Sequence, residues 1–326
     1  MGKVYNELET IRSNALVSPN FRWPKTPRQL REHLEQRAGF HYETVDQACC
    51  GYLDHVAMAE LAERLGNADD GAHYQQLAEK SRQAILARMW NERDGFFYNL
   101  DTRTDEQAPV KTFVGFYPFW ARIADKRHAA ILTHLYDPKV FWAERLPPML
   151  SLDYPRRKIM VDRWPFRYWN YPSWPYGLCR LADAACNAAK SVAPDTAGNA
   201  AELLRRFTRH AHFPRGDLAR PCIPEFVDPH KGLQRFSELD YNHSYYIDLV
   251  IRHLVGLEPS MDDRVELLPL PAGLERFSLE GVKYKGHDVS IRWDAESGYE
   301  LWVDGKRAAR RDDLGPITYD LPATPY

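Results

Sequence analysis

A chain of 326 residues with 44% hydrophobic side chains is long enough to bury a sizeable core, as one large domain with a small appendage. Its 43 basic and 45 acidic residues leave a formal charge of −2 and no strongly basic block, which argues against a nucleic-acid partner. No apolar run reaches the roughly 18 residues of a membrane span. The start Met1-Gly2-Lys3-Val4-Tyr5-Asn6-Glu7 lacks the apolar core of a signal peptide, so a cytoplasmic protein without a membrane partner is expected.

In chain order, Thr26 before Pro27 reads as a helix N-cap with proline at the first helical position, opening a short helix to about Arg37. From Thr44 to Leu65 apolar residues recur at helical spacing (Val45, Ala48, Tyr52, Val56, Ala59, Ala62), and Gly66 offers a C-cap. A second helix is predicted over 70–90. A turn over 91–95 and an extended Phe96–Asp101 come next. Helices are expected over 111–123 and 126–136, then a long aromatic and proline-rich loop over 138–169, then helices over 173–190, 197–211 and 242–256.

These helices come in consecutive pairs with no alternating strands, which excludes a doubly wound sheet and predicts a mainly α fold of stacked helical hairpins, as in an α/α toroid or a solenoid. Beyond about residue 258 the pattern changes to short strands over 265–270, 277–282, 287–293 and 299–303, with Asp304-Gly305 as a hairpin signal. The expected organisation is a helical body over 1–257 and a small antiparallel β unit over 258–326.

Five cysteines at irregular spacings, without a paired C-x-x-C, read as reduced thiols, and Cys179 and Cys186 fall seven apart on one helix face suited to core packing. Nine Trp, 18 Tyr and 14 Phe make 13% of the chain, which suits either a large core or stacking surfaces for sugars. In Pro224-Glu225-Phe226-Val227-Asp228-Pro229-His230-Lys231-Gly232, the prolines and glycine put Glu225 on a loop, where catalytic carboxylates tend to lie. A solvated loop glutamate is the competing reading of Glu225 by itself.

Leu65-Gly66, Tyr74 and the run Met89-Trp90-Asn91-Glu92-Arg93-Asp94-Gly95-Phe96-Phe97-Tyr98-Asn99-Leu100-Asp101 resemble the "LG…Y…LW…GFFYDxD" stretch of α/α-toroid glycoside hydrolases. Phe116-Tyr117-Pro118-Phe119-Trp120-Ala121 is similar to their "GFLPLWAG", Tyr168 to Pro175 to "YWRGPxWP", and Glu225 to Gly232 to "ExYxPxTG". His243-Ser244-Tyr245-Tyr246-Ile247-Asp248-Leu249 is similar to the closing helix of the mannosylglycerate-hydrolase-like group. These stretches together resemble glycoside hydrolase family 63, the trehalases and that mannosylglycerate-hydrolase-like group, over roughly residues 43 to 305.

The resemblance implies inversion at an anomeric carbon by a general acid and a general base, with a carbohydrate substrate such as an α-linked glucoside or mannoside. Glu225 falls at the base position. Trp90, Trp120, Tyr168, Trp169 and Trp174 become candidate walls of the sugar subsite, and His243 a further substrate-binding candidate. The family's acid lies in a motif like "SGxDNSP", and Ser13-Asn14-Ala15-Leu16-Val17-Ser18-Pro19 puts Leu16 in its place. The remaining acid candidates rank Asp46, Glu43, Asp153. Asn170 and Tyr171 replace the motif's Arg and Gly, leaving Arg167 or Arg163 as substitutes.

About eight helices are predicted against the twelve of a six-hairpin (α/α)6 ring, so the toroid is expected to be incomplete in this chain and its open face covered by another copy or a partner chain. No metal constellation or cofactor motif is present among His55, His243 and His287, and no metal or organic cofactor is expected. Two other functions fit less of the pattern: a catalytically silent relative that binds sugar or serves as a subunit, and a sugar isomerase or epimerase.

Overall fold

The computed structural model describes Thr26 and residues 42–102, 104–155, 172–216, 220–233, 239–241 and 243–323. The helix expected from Thr26 to Arg37, Leu16, Arg163, Arg167, Tyr168 and Trp169 lie outside the described residues, apart from Thr26 itself. The chain divides into two compact units, Met1–Ala184 with Phe226–Ser237 and Ala185–Glu225 with Glu238–Tyr326.

In the first unit a helical hairpin opens the described chain. Helix α1 spans Val45–Arg64 and α2 spans Ala68–Ala84. The turn between them is built on Gly66, whose φ of 77° lets the Gly66 N–H reach Glu63 O and the Asn67 N–H reach Ala62 O. This double closure satisfies carbonyls that a helix end otherwise leaves open. At its start, α1 receives a cap from far along the chain, because the Val45 N–H donates to Asn99 Oδ1 at 3.0 Å. The predicted apolar positions of α1 are buried or half-buried, while Met58, Leu61 and Leu65 form an exposed stripe at helical spacing.

The second predicted helix is helical to Met89, but not α-helical throughout. Its last turn widens into a π turn over Ile85–Met89, and Trp90–Asn91 (β2) pairs antiparallel with Phe96–Phe97 (β3) around the 92–95 turn. Leu100–Asp101 (β4) sits between Tyr42–Glu43 (β1) and Glu106–Gln107 (β5). The helices expected over 111–123 and 126–136 are also broken. Phe113–Phe116 and Lys126–His128 are 3₁₀ turns, and only Tyr117–Trp120 (α3) and Ile131–Tyr136 (α4) are α-helical. At the predicted boundary between the two, Asp125 caps the second 3₁₀ turn, accepting from the Arg127 N–H, while His128 Nδ1 accepts from the Asp125 N–H.

The core of this unit is aromatic. Phe96, Phe97, Phe116 and Phe141 are fully buried. The Phe96 ring meets Phe116 edge-on at 5.6 Å and lies parallel to Phe141 at 6.2 Å, the offset geometries that aromatic quadrupoles favour. Helix α5, Pro175–Ser191, buries both Cys179 and Cys186, and all five cysteines are free thiols.

In the second unit Ala197–Phe207 (α6) and His243–Leu249 (α7) each continue into a π turn, over Thr208–His212 and Val250–Val255. The C-terminal part holds two antiparallel sheets. One contains, in spatial order, Arg276–Tyr284, His287–Asp294, Gly298–Val303 and Lys306–Arg311 (β10 to β13). The other places Arg264–Leu267 (β9) between Ile317–Asp320 (β14) and Leu257–Glu258 (β8).

Alternate residues of these strands, among them Val265, Leu267, Val289, Ile291, Tyr299, Leu301, Val303 and Ile317, make one buried core. Within it the Tyr299 hydroxyl donates to Val255 O at 2.5 Å. A buried ion pair closes one edge of this unit. Lys190 Nζ donates to Glu258 Oε1 at 2.9 Å and to Arg252 O at 2.8 Å, and burial pushes the Lys190 amine below its usual range against the pull of Glu258.

A helical body with antiparallel sheets at its C-terminal end is thus the observed architecture. No helix among the described residues is long and apolar enough to cross a membrane.

Candidate active site

Glu225 is half-buried on a bend, as the proline and glycine punctuation predicts. The segment before it is pinned in the second unit, where the Cys222 N–H donates to His212 O at 2.8 Å and the Tyr241 N–H to Ile223 O at 2.8 Å. After Glu225 the chain passes into the first unit. Val227–Asp228 (β6) pairs with Gly232–Leu233 (β7), and Asp228 Oδ1 accepts from the His230 and Lys231 N–H groups at 2.9 and 2.8 Å. An aspartate folding back on its own turn in this way fixes the loop without regular structure.

The first unit then shows how its motif loops are tied. Val227 and Ser173 exchange backbone hydrogen bonds at 2.8 and 2.9 Å, the Arg145 N–H donates to Pro229 O at 2.8 Å, and the buried Ser173 hydroxyl donates to Leu146 O at 3.1 Å. The Met149 N–H reaches Pro172 O at 3.1 Å, and Thr112 bridges Leu150. Four stretches remote in sequence, around 112, 150, 173 and 227, are therefore stitched by isolated bridges rather than by a sheet.

The candidate aromatic residues fall into two groups. Trp90 is half-buried and packs on Phe97 and His128, each with ring centroids at 4.8 Å, while its Nε1 donates to Glu92 Oε2 at 2.6 Å. Trp120, at the end of α3, lies 5.6 Å from Tyr117 and 5.2 Å from the Arg180 guanidinium carbon. Trp174 lies just ahead of α5, with its ring 4.9 Å from Tyr176. Tyr176 and Arg180, one helical turn apart on α5, join the second group: Arg180 stands 4.4 Å over the Tyr176 ring and donates from Nη2 to the Tyr176 hydroxyl at 2.7 Å.

Close approach of α5 to the Phe113–Trp120 segment depends on Gly177. A Cβ there would come within 2.6 Å of two Phe113 ring carbons, and the Gly177 carbonyl accepts from the Tyr117 hydroxyl at 3.0 Å. Tyr176, Gly177 and Arg180 lie just beyond the motif that ends at Pro175 and are not among its candidate residues. The i, i+4 spacing of Tyr176 and Arg180 was the available signal.

The acid candidates have different settings. Asp46 is half-buried in the first turn of α1, where the helix dipole favours a carboxylate. Its charge adds to the burial that pushes the Cys49 and Cys50 thiols up, and on Cys50 the Arg180 charge pulls the other way. Glu43 is exposed and pairs with Arg88 at 3.5 Å, and Asp153 is exposed and pairs with Lys111 at 3.4 Å. His243 opens α7 in the second unit. Among the described residues no cluster of three or more His, Cys, Asp or Glu is placed to hold a metal ion.

The family model described as the mannosylglycerate hydrolase MGH1-like glycoside hydrolase domain matches residues 10–244. The chain belongs to this glycoside hydrolase family. A probable trehalase of Saccharomyces cerevisiae is 30% identical over 108 residues, covering 33% of this chain and 13% of that protein. A solved structure named sialidase superposes with a TM-score of 0.75 at 21% identity, over 97% of this chain and 30% of that one. A family 63 mannosylglycerate hydrolase of Thermus thermophilus, in complex with Tris, gives 0.51 at 16% identity, over 75% of this chain and 60% of that one. The likenesses to the two solved structures show a shared fold, and this MGH1-like chain spans less than two thirds of each of the three relatives.

Proposed function

We propose that this chain is the catalytic body of an inverting glycoside hydrolase that acts on an α-linked glucoside, mannoside or similar small glycan, with Glu225 as the general base. The observation that carries the reading is the family match over residues 10–244 together with Glu225 at the motif's base position, half-buried on a bend with backbone hydrogen bonds on either side. In the reaction the base takes a proton from water as it attacks the anomeric carbon, while a carboxylic acid on the opposite side protonates the leaving oxygen. A separation of about 6.5 to 9.5 Å leaves room for that water. Asp46 is the first candidate for the acid, and Trp90, Trp120, Tyr168, Trp169, Trp174 and His243 for substrate contact.

The body is taken as residues 1–257 in a toroid-like arrangement of hairpins, with 258–326 as the β unit. The exposed Met58, Leu61 and Leu65 stripe on α1 supports a second copy or a partner chain covering that face. Glu225→Gln keeps shape and removes the base, so turnover of para-nitrophenyl α-glucoside or α-mannoside should fall by a factor of about 10² to 10⁴ with an unchanged melting temperature. Turnover equal to the parent protein's would remove Glu225 from the role.

One observation favours a second reading. Leu16 stands where the family's acid is expected, and leucine cannot donate a proton. A silent relative would bind such sugars saturably and release none, which calorimetry alongside a product assay distinguishes.

A further inference from the structure

We propose that Arg180 is a positioning residue: its guanidinium, bonded to the Tyr176 hydroxyl and laid over the Tyr176 and Trp120 rings, locks these side chains into one aromatic wall. The inference rests on the reading of Trp120 and Trp174 as sugar walls.

The contacts run without interruption through the first unit. Trp174 meets Tyr176 at 4.9 Å, Tyr176 lies beneath Arg180 at 4.4 Å, Arg180 stands over Trp120 at 5.2 Å, and Trp120 meets Tyr117 at 5.6 Å. The far end of this row is fixed by the Tyr117 hydroxyl on Gly177 O at 3.0 Å. Two motifs distant in sequence, Phe116–Ala121 and Trp174–Pro175, are therefore joined through one cation.

Arginine suits this task. Its guanidinium is always charged and spreads five N–H donors over a wide plane, so one group can bond the Tyr176 hydroxyl while its charge lies near two rings, a reach that a compact ammonium lacks. A ring whose orientation is set before the sugar arrives loses less side-chain freedom on binding, so the benefit falls on affinity rather than on the bond-breaking step. The Arg180 charge also reaches Cys50 on α1, which gives a second way to read its placement. Burial pushes that thiol up, Arg180 draws it down, and Asp46 and Asp54 push it up again.

The test compares Arg180→Met, which keeps the apolar stem, with Arg180→Lys and with Tyr176→Phe, after melting temperatures establish folding. Iodoacetamide labelling of Cys50, followed by peptide mass against pH, reads the geometry without any sugar. Arg180→Met should move the labelling profile to higher pH, and Arg180→Lys should restore much of it. With para-nitrophenyl α-glucoside and α-mannoside, Arg180→Met should raise KM about 3- to 10-fold while kcat changes less. Tyr176→Phe should shift KM the same way by less, and it carries the test if Arg180→Met does not fold.

If the parent protein hydrolyses or binds these sugars and the variants leave KM or Kd unchanged, the positioning role is overturned and the hydrolase reading stands. An unmoved Cys50 profile in a folded Arg180→Met protein overturns the placement of the cation. If the parent neither binds nor cleaves them, the functional reading fails, and the proposal falls with it.

Discussion

Tyr299 in the second unit and Trp120 in the first are both large aromatic residues, yet they are held by different means. Tyr299 lies in a strand whose register is fixed on both sides, opposite Trp293 and Arg311, and its hydroxyl is bonded to Val255 O. Trp120 ends a four-residue helix and is set by ring contacts with Tyr117 and Arg180. Where backbone ladders fix positions, side chains are interchangeable within the limits of size. Where side chains fix positions, each is a separate constraint, as it is at Trp120 and Tyr176.

Four substitutions test this contrast. The largest effect is expected from Phe96→Ala, which empties the centre of the aromatic core and should cost about 3–5 kcal/mol in urea unfolding. A loss below about 1 kcal/mol would mean that the first unit does not depend on its rings as described. In the second unit, Glu258→Ala leaves Lys190 buried without its carboxylate and should cost about 3 kcal/mol by the same measurement. Gly177→Ala forces a Cβ onto the Phe113 ring. It should cost about 1–3 kcal/mol and alter the near-ultraviolet signature of the aromatic wall.

The smallest effect is a pH dependence in the β sheets. His287 Nδ1 lies 2.7 Å from Asp304 Oδ2, and this hydrogen bond raises the imidazole's pKa and lowers the carboxyl's. The histidine's contribution to stability is complete below its unfolded value of about 6.5 and is lost as pH rises through the raised folded value. That of the aspartate is complete above about 3.9 and is lost as pH falls through the lowered one. Urea midpoints should therefore decline as pH rises from the plateau between these values, and Asp304→Asn should flatten that slope.

The long periodic elements were legible in the sequence. α1 covers its predicted span and ends at Gly66, because apolar spacing and a C-cap act locally, although its first N–H is capped by the distant Asn99. The π turn that ends the second helix was not legible, because it inserts one residue without changing the composition, and Trp90 then falls in a strand. The 111–136 region failed for a related reason. Apolar residues at helical spacing read the same whether they belong to one α-helix or to a 3₁₀ turn followed by a short α-helix.

Strand β13 was missed because Lys306–Arg311 is nearly all polar. It is held by pairing with β12 and by ion pairs such as Arg307 with Glu300 at 2.9 Å. The Asp304-Gly305 turn was the signal that a partner strand must come after it. At the candidate site, the loop position of Glu225 could be read from its prolines. The Arg180 row could not, because it joins residues that only the folded chain brings together.

The isolated bridges among the motif loops also bear on the order in which the molecule can be assembled. Arg145 reaches His230 O across 85 positions of chain, and Ser173 takes its partner from Val227. Such closures are entropically late, so on the ribosome the hairpin of α1 and α2 can form as it emerges while the motif loops wait for residue 230. Until then, the loops around 112, 150 and 173 are a nascent surface without its final strap, and the last stretch to be synthesised before the fastening is the one that carries Glu225.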